Sequence, residues 1–212
     1  MEKGLFKNRY RIKSARMQGY DYSQNGYYFI TICTYKKIHY FGNIINKKMI
    51  LSEIGEIVHD CWLNISNHFQ FVILDDFIIM PNHVHGIIQI CKHNKNQIVE
   101  TQHLASPETE QISTHNAINK TQNIASLRGR EHDEWKPNKF GPQSQNLASI
   151  IRGFKIGVTK YANDNNIDFQ WQPRFHDRII RDESALYGIR EYIRNNPEKW
   201  HHDRNNKENI WI

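Results

Sequence analysis

Apolar and polar residues alternate between two periods along the chain. Residues 27–35, Tyr-Tyr-Phe-Ile-Thr-Ile-Cys-Thr-Tyr, are dense in β-branched and aromatic side chains and read as a strand. Residues 42–50 suggest a short hairpin turning at Asn46 and Lys47. Ser52 is placed to cap a helix whose apolar positions are Ile54, Ile57, Val58, Cys61, Trp62 and Ile65. Residues 69–80 read as a strand, Pro81 and Asn82 as a turn, and the run from His83 as a second strand antiparallel to the first. The helical period returns at about residues 145–162, with Leu147, Ile150, Ile151, Phe154, Val158 and Tyr161 on one face and Arg152, Lys155 and Lys160 off it. A short strand at residues 175–181 precedes a last helix. Asp182 is its expected N-cap, Glu183 lies in its first turn, Leu186, Ile189 and Ile193 form its apolar stripe, and Pro197 ends it. Strand, helix, two strands, helix, strand is the order of a ferredoxin-like α+β fold, an antiparallel sheet with helices packed on one face.

Residues 92–142 interrupt this pattern. They are rich in Asn, Gln, Thr, Ser and His, with Trp135 and Phe140 as the only large aromatics, and bury too little apolar surface to offset the entropy of ordering. A flexible polar insert is expected there. The irregular spacing of His93, His103, His115 and His132 argues against a metal site, and His201, His202 and Asp203 read as part of a solvated polar tail. The expected organisation is a basic arm at 1–19, one domain at 20–200 carrying the insert, and a tail at 201–212.

The 212-residue chain carries a formal net charge of +6, which suits a polyanionic partner. Lys3, Lys7, Arg9, Arg11, Lys13 and Arg16 crowd the N-terminus, with Tyr10 and Tyr20 among them. Arg174, Arg178, Arg181, Arg190 and Arg194 flank the last helix, and Arg152 and Lys155 lie on the one before it. Arginine beside aromatic residues suits phosphate contact and base stacking on single strands. No apolar run reaches the roughly 18 residues of a membrane-spanning helix, and the basic N-terminus lacks an apolar signal core. Cys33, Cys61 and Cys91 show neither zinc spacing nor a disulfide framework, so reduced core thiols in a cytoplasm are expected.

Two local patterns carry chemistry. In Met80-Pro81-Asn82-His83-Val84-His85-Gly86-Ile87-Ile88, strand alternation points His83 and His85 to one face and Val84 to the other. Two imidazoles so placed make half of a metal site, or are simply polar residues at a strand end. On the last helix Tyr192 and Asn196 share a face, with the small residues Ala185 and Gly188 on the same side leaving room beside the phenol. That pattern suits a nucleophile beside a ligand, or a half-buried tyrosine with an Asn cap.

Taken together with Trp171-Gln172-Pro173-Arg174-Phe175-His176-Asp177-Arg178-Ile179-Ile180-Arg181-Asp182 and the opening run from Tyr20 to Thr34, these segments resemble the IS200-like, REP-associated tyrosine transposases. Those are HUH single-strand DNA nucleases with one catalytic tyrosine. The resemblance spans roughly residues 16–91 and 143–200, and departs at Arg178, where relatives carry histidine. It implies an HUH endonuclease fold with His83, His85 and Asn196 as ligands of Mg²⁺ or Mn²⁺. It also implies Tyr192 as the nucleophile, acting in cis or in trans in a monomer or homodimer. From the distribution of basic residues, Arg9, Arg11, Lys13, Arg152, Lys155, Arg174, Arg178, Arg181, Arg190 and Arg194 are the expected DNA contacts. The expected reaction is cleavage and rejoining of single-stranded or hairpin DNA through a 5′-phosphotyrosine. A replication initiator or relaxase, or a non-catalytic single-strand nucleic-acid module, is the alternative. No GxxxxGK[ST] phosphate loop supports an initiator.

Overall fold

The computed structural model describes residues 16–92 and 144–206. Arg9, Arg11 and Lys13, most of the proposed arm, all but the first residue of the insert, and the end of the tail lie outside the described residues. The fold is mixed α+β. Four antiparallel strands lie in the order β4 (Val72–Met80), β5 (His83–Ile90), β1 (Gly26–Cys33) and β6 (His176–Ile180). With the hairpin set aside, this is the ferredoxin-like arrangement. The hairpin β2 (Gly42–Ile45) and β3 (Lys48–Leu51) stands apart, and its turn residues Asn46 and Lys47 both have positive φ, 50° and 63°. That geometry is the primed turn that two-residue hairpins favour.

The helices divide between the two faces of the sheet. On one face lie α1 (Glu53–Leu63), the short α2 (Ile65–His68) and α3 (Leu147–Asp164). Val58, Trp62, Ile150, Phe154 and Val158 meet Tyr28, Ile30, Ile32, Val84 and Ile88 there, forming the main core. Helix α4 (Glu183–Arg194) packs Leu186, Ile189 and Ile193 on Tyr27, Ile87 and Ile180. These belong to the opposite face, because successive strand residues alternate sides. The expectation of helices on one face therefore holds for α1, α2 and α3, whereas α4 covers the other. The physical reason lies in β1, where Tyr27 and Phe29 are apolar on one side and Tyr28, Ile30 and Ile32 on the other, so both faces require cover.

The helix ends match their sequence signals. Ser52 Oγ accepts from Gly55 N–H at 3.2 Å, and Asp182 Oδ1 accepts from Ala185 N–H at 2.7 Å. Asn146 and Ser149 form a reciprocal capping pair at the start of α3. The expected strand at residues 69–80 begins later, at Val72, because Phe69 caps α2 and residues 70–71 form a turn.

Candidate active site

Strand β5 brings His83 and His85 to the α4 face. They pair with Cys33 and Thr31 of β1, while Val84 enters the main core. Both imidazoles are buried, with ring centroids 4.4 Å apart. Asn82 donates from Nδ2 to the carbonyls of Lys37 (3.1 Å) and Asn205 (2.8 Å), so its Oδ1 faces His83 Nδ1 at 2.9 Å. Oδ1 only accepts, so the His83 proton sits on Nδ1 and the lone pair on Nε2. That Nε2 is buried and has no hydrogen-bond partner. His85 repeats the logic: Nδ1 lies 2.9 Å from Thr31 Oγ1, and with its proton there Nε2 accepts from the Tyr192 hydroxyl at 3.2 Å. Holding one ring nitrogen to present the other is how metal-binding histidines are oriented.

Electrostatics keep both rings neutral. Burial, then the charges of Lys37, Arg204 and His39, push His83 down from its ordinary 6.5 to about 3. Burial, then His83, holds His85 well below its ordinary value, against the opposing charge of Asp203. Neutral imidazole is the form that binds a metal.

The chain supplies a third donor, a carboxylate oxygen, from the segment that the sequence reads as a solvated tail. A nitrogen of each histidine and a carboxylate oxygen of Asp203 all lie within 4.8 Å of one another. Residue 203 was assigned to a solvated tail. Instead, a short 3₁₀ turn at Trp200–His202 buries Trp200 against His83 and His39, and Asn205 and Asn206 are buried beyond it. His201 and His202 are exposed, as expected. The donor set, two neutral imidazoles and one carboxylate with an unpartnered buried Nε2 among them, fits a divalent cation bound by nitrogen and oxygen. Asn196 is 2% exposed, and its Oδ1 is also buried without a partner. Among the described residues no side-chain hydrogen bond ties Asn196 to either histidine, and its amide acts on Tyr192 by favouring the phenolate.

Tyr192 is 41% exposed on α4 and opens into a cleft of about 590 Å³ shared with Phe29, Thr31, His176, Arg178, Ala185 and Gly188. A Cβ on Gly188 would meet nothing within 4 Å, so this helix side leaves open space beside the phenol. Burial and then the charge of Asp203 raise the Tyr192 pKa, while the nearby Asn196 amide and the charge of Arg204 oppose the rise. Tyr187, the nearest other tyrosine, points to solvent at 61% exposure and bonds Glu191.

The proposed DNA contacts separate into two groups. Arg190 makes a bidentate pair with Asp75, and Arg194 Nε lies 2.8 Å from Asp76 without hydrogen-bond alignment. Both carboxylates sit at the register shift in β4 between Leu74 and Phe77. Arg152, Arg174, Arg178 and Arg181 are exposed near β6 and α3. Lys155 is half-buried and donates to the carbonyls of Gln172 and Arg174 at 2.7 and 2.8 Å. The sequence thus carries no sign of Asp203 and Arg204 beside the histidines and Tyr192, or of the acidic partners of Arg190 and Arg194.

The fold and site define a ferredoxin-like α+β domain with a His-His-Asp cluster against a helix-borne tyrosine. The chain is 37% identical over 193 residues to a Haemophilus influenzae protein described as an uncharacterized protein, covering 91% of each chain, and it belongs to the same family as that protein. No protein-family model matches it. Among solved structures, a REP-associated tyrosine transposase bound to a REP hairpin is similar at TM-score 0.46 and 13% identity, over 91% of this chain and 74% of that one. A candidate transposase of Deinococcus radiodurans is similar at TM-score 0.30 and 16% identity, over 85% and 95%. Among the described residues, no helix is long and apolar enough to cross a membrane.

Proposed function

We propose that this protein cleaves and rejoins single-stranded DNA through a covalent bond to Tyr192, as a transposase of the IS200-like, REP-associated type acting on hairpin-forming DNA. One observation carries the reading: the Tyr192 hydroxyl lies 3.2 Å from His85 Nε2, inside a cluster where His83, His85 and Asp203 converge within 4.8 Å. A purely structural histidine pair leaves unexplained the partnerless buried Nε2 of His83 and an exposed phenol aimed at its neighbour. His83 and His85, with Asp203 and Asn196 as the oxygen donors at hand, would hold Mg²⁺ or Mn²⁺, which would supply Lewis-acid polarisation of the scissile phosphate.

The chain's own groups do the rest. Tyr192 oxygen bonds to phosphorus and the bond from phosphorus to the 3′-oxygen breaks. The phenol loses its proton, and the leaving 3′-oxygen gains one as a free hydroxyl. The phosphodiester is conserved in the 5′-phosphotyrosine, so rejoining needs no nucleotide cofactor. His85 accepts a hydrogen bond from the phenol but resists full protonation, since burial penalises its cation. Asn196 and Arg204 favour the phenolate, and Arg178 in the cleft is placed to meet phosphate oxygens. The test is a denaturing gel with a labelled hairpin oligonucleotide. Wild-type protein with Mn²⁺ forms a protein–DNA adduct mapping to the Tyr192 peptide, and Tyr192→Phe binds the hairpin but forms none. An adduct that persists in Tyr192→Phe, or maps to Tyr187, refutes the assignment.

A further inference from the structure

The cleft beside Tyr192 continues past the site. Asp177, Arg178 and Ala185 line it and also line a second cleft of about 540 Å³, which follows the β6 edge toward Arg181 and Arg16. Arg16 lines a third groove, about 580 Å³, between α3 and residues 174–175, walled by Arg152, Lys155 and Lys160. The Arg16 guanidinium joins the two, 3.7 Å from Asp177 and 4.8 Å from the Phe175 ring centre. The clefts therefore run from the α4 face of the sheet, around edge strand β6, to α3 on the other face.

The sheet's two edges differ in charge. At the β4 edge, Arg190 and Arg194 are neutralised by Asp75 and Asp76. Along β6 and α3, Arg152, Lys160 and Arg178 are exposed and, among the described residues, lie in no ion pair. Asp164, Asp177 and Asp182 are the acidic residues there, and the Asp177 side chain is only 1% exposed. The shape then selects the polyanion. A duplex has a persistence length of about 50 nm and cannot turn around the edge of one sheet, whereas an unpaired strand can.

We propose that the three clefts form one track for unpaired DNA, which leaves Tyr192 over the β6 edge and runs along α3. The track deepens the strand-transfer reading and rests on it for the identity of the polyanion. The test measures affinity for a fluorescent oligothymidylate of roughly 20 nucleotides, longer than the site of one small domain, against salt concentration in EDTA. Arg152→Gln with Lys160→Gln removes two charges from the track. Lys47→Gln with Lys48→Gln removes two on the β2–β3 hairpin, and all four residues are exposed. Each lost phosphate contact on a single strand flattens the slope of log affinity against log salt by about 0.7, so the first pair flattens it by about 1.4 and the second leaves it unchanged. Equal slopes for the two pairs overturn the track, as does equal flattening by the first pair on a blunt duplex of the same length. Binding is read without cleavage. Selective flattening in a protein that forms no DNA adduct keeps the track and removes the Tyr192 mechanism, and an adduct without selective flattening does the reverse.

Discussion

His85 Nε2 has one lone pair and two claimants. It accepts the Tyr192 hydroxyl, and a cation bound through the same atom would displace that hydrogen bond. A hydrogen bond of this kind contributes about 1 kcal/mol net, so Tyr192→Phe should bind Mn²⁺ about fivefold more tightly by calorimetry. Equal or weaker affinity would mean that the cation and the phenol do not share His85. The same titration ranks the oxygen donors: Asp203→Asn should weaken binding more than Asn196→Ala, because only Asp203 brings a charge to the histidine cluster. Acid should also destabilise the metal-free protein. Folded His83 titrates at about 3 and unfolded histidine at 6.5, so between these values the unfolded chain binds the extra proton and stability falls as pH falls. In EDTA the melting temperature should drop steadily from pH 7 to pH 4, and His83→Gln should flatten that curve. The sequence exposed His83, His85 and Tyr192 because each follows from a local period, two residues on a strand and four on a helix. Asp203 follows from no period: its position depends on the chain reversing after Pro197 and on Trp200 seating against His83.

Among the elements, β5 and α1 explain the glycine that follows the second histidine. A Cβ on Gly86 would stand 2.2 Å from Trp62 Cζ2, so the indole of α1 packs directly against the strand backbone behind the site. Gly86→Ala should cost about 1–3 kcal/mol, the usual range for overpacking, in chemical denaturation. An unchanged midpoint would show that Trp62 moves aside freely. The strands and long helices were legible because their apolar spacing is sustained over whole elements. The face covered by α4 was not inferred, although β1 carried the signal: Tyr27 and Phe29 are apolar opposite Tyr28, Ile30 and Ile32, so the strand is buried on both sides. The pairing of Arg190 and Arg194 with Asp75 and Asp76 was not legible, because these partners are more than a hundred residues away in sequence and meet them at the β4 irregularity.

The molecule as a whole depends on a closing segment, residues 200–206, that straps its end to the HxH strand. Asn82 donates to the Asn205 carbonyl at 2.8 Å and Lys37 to the Arg204 carbonyl at 2.7 Å, so the residue just before His83 and the turn after β1 hold the strap in place. The strap in turn sets Asp203 beside the histidines and Arg204 in the Tyr192 cleft. The four-stranded sheet and α4 make their core contacts without it, so removing it should separate chemistry from folding. Deleting residues 203–212 should leave a cooperative thermal transition and reduce divalent-ion affinity by at least the about 10–100-fold that loss of a metal-site partner costs. Adduct formation should fall with it. Deleting only 207–212 is the control, and there the Mn²⁺ titration should match the full chain. If the longer deletion titrates like wild type, the cation is held by His83, His85 and Asn196 alone, and Asp203 serves only to raise the Tyr192 pKa.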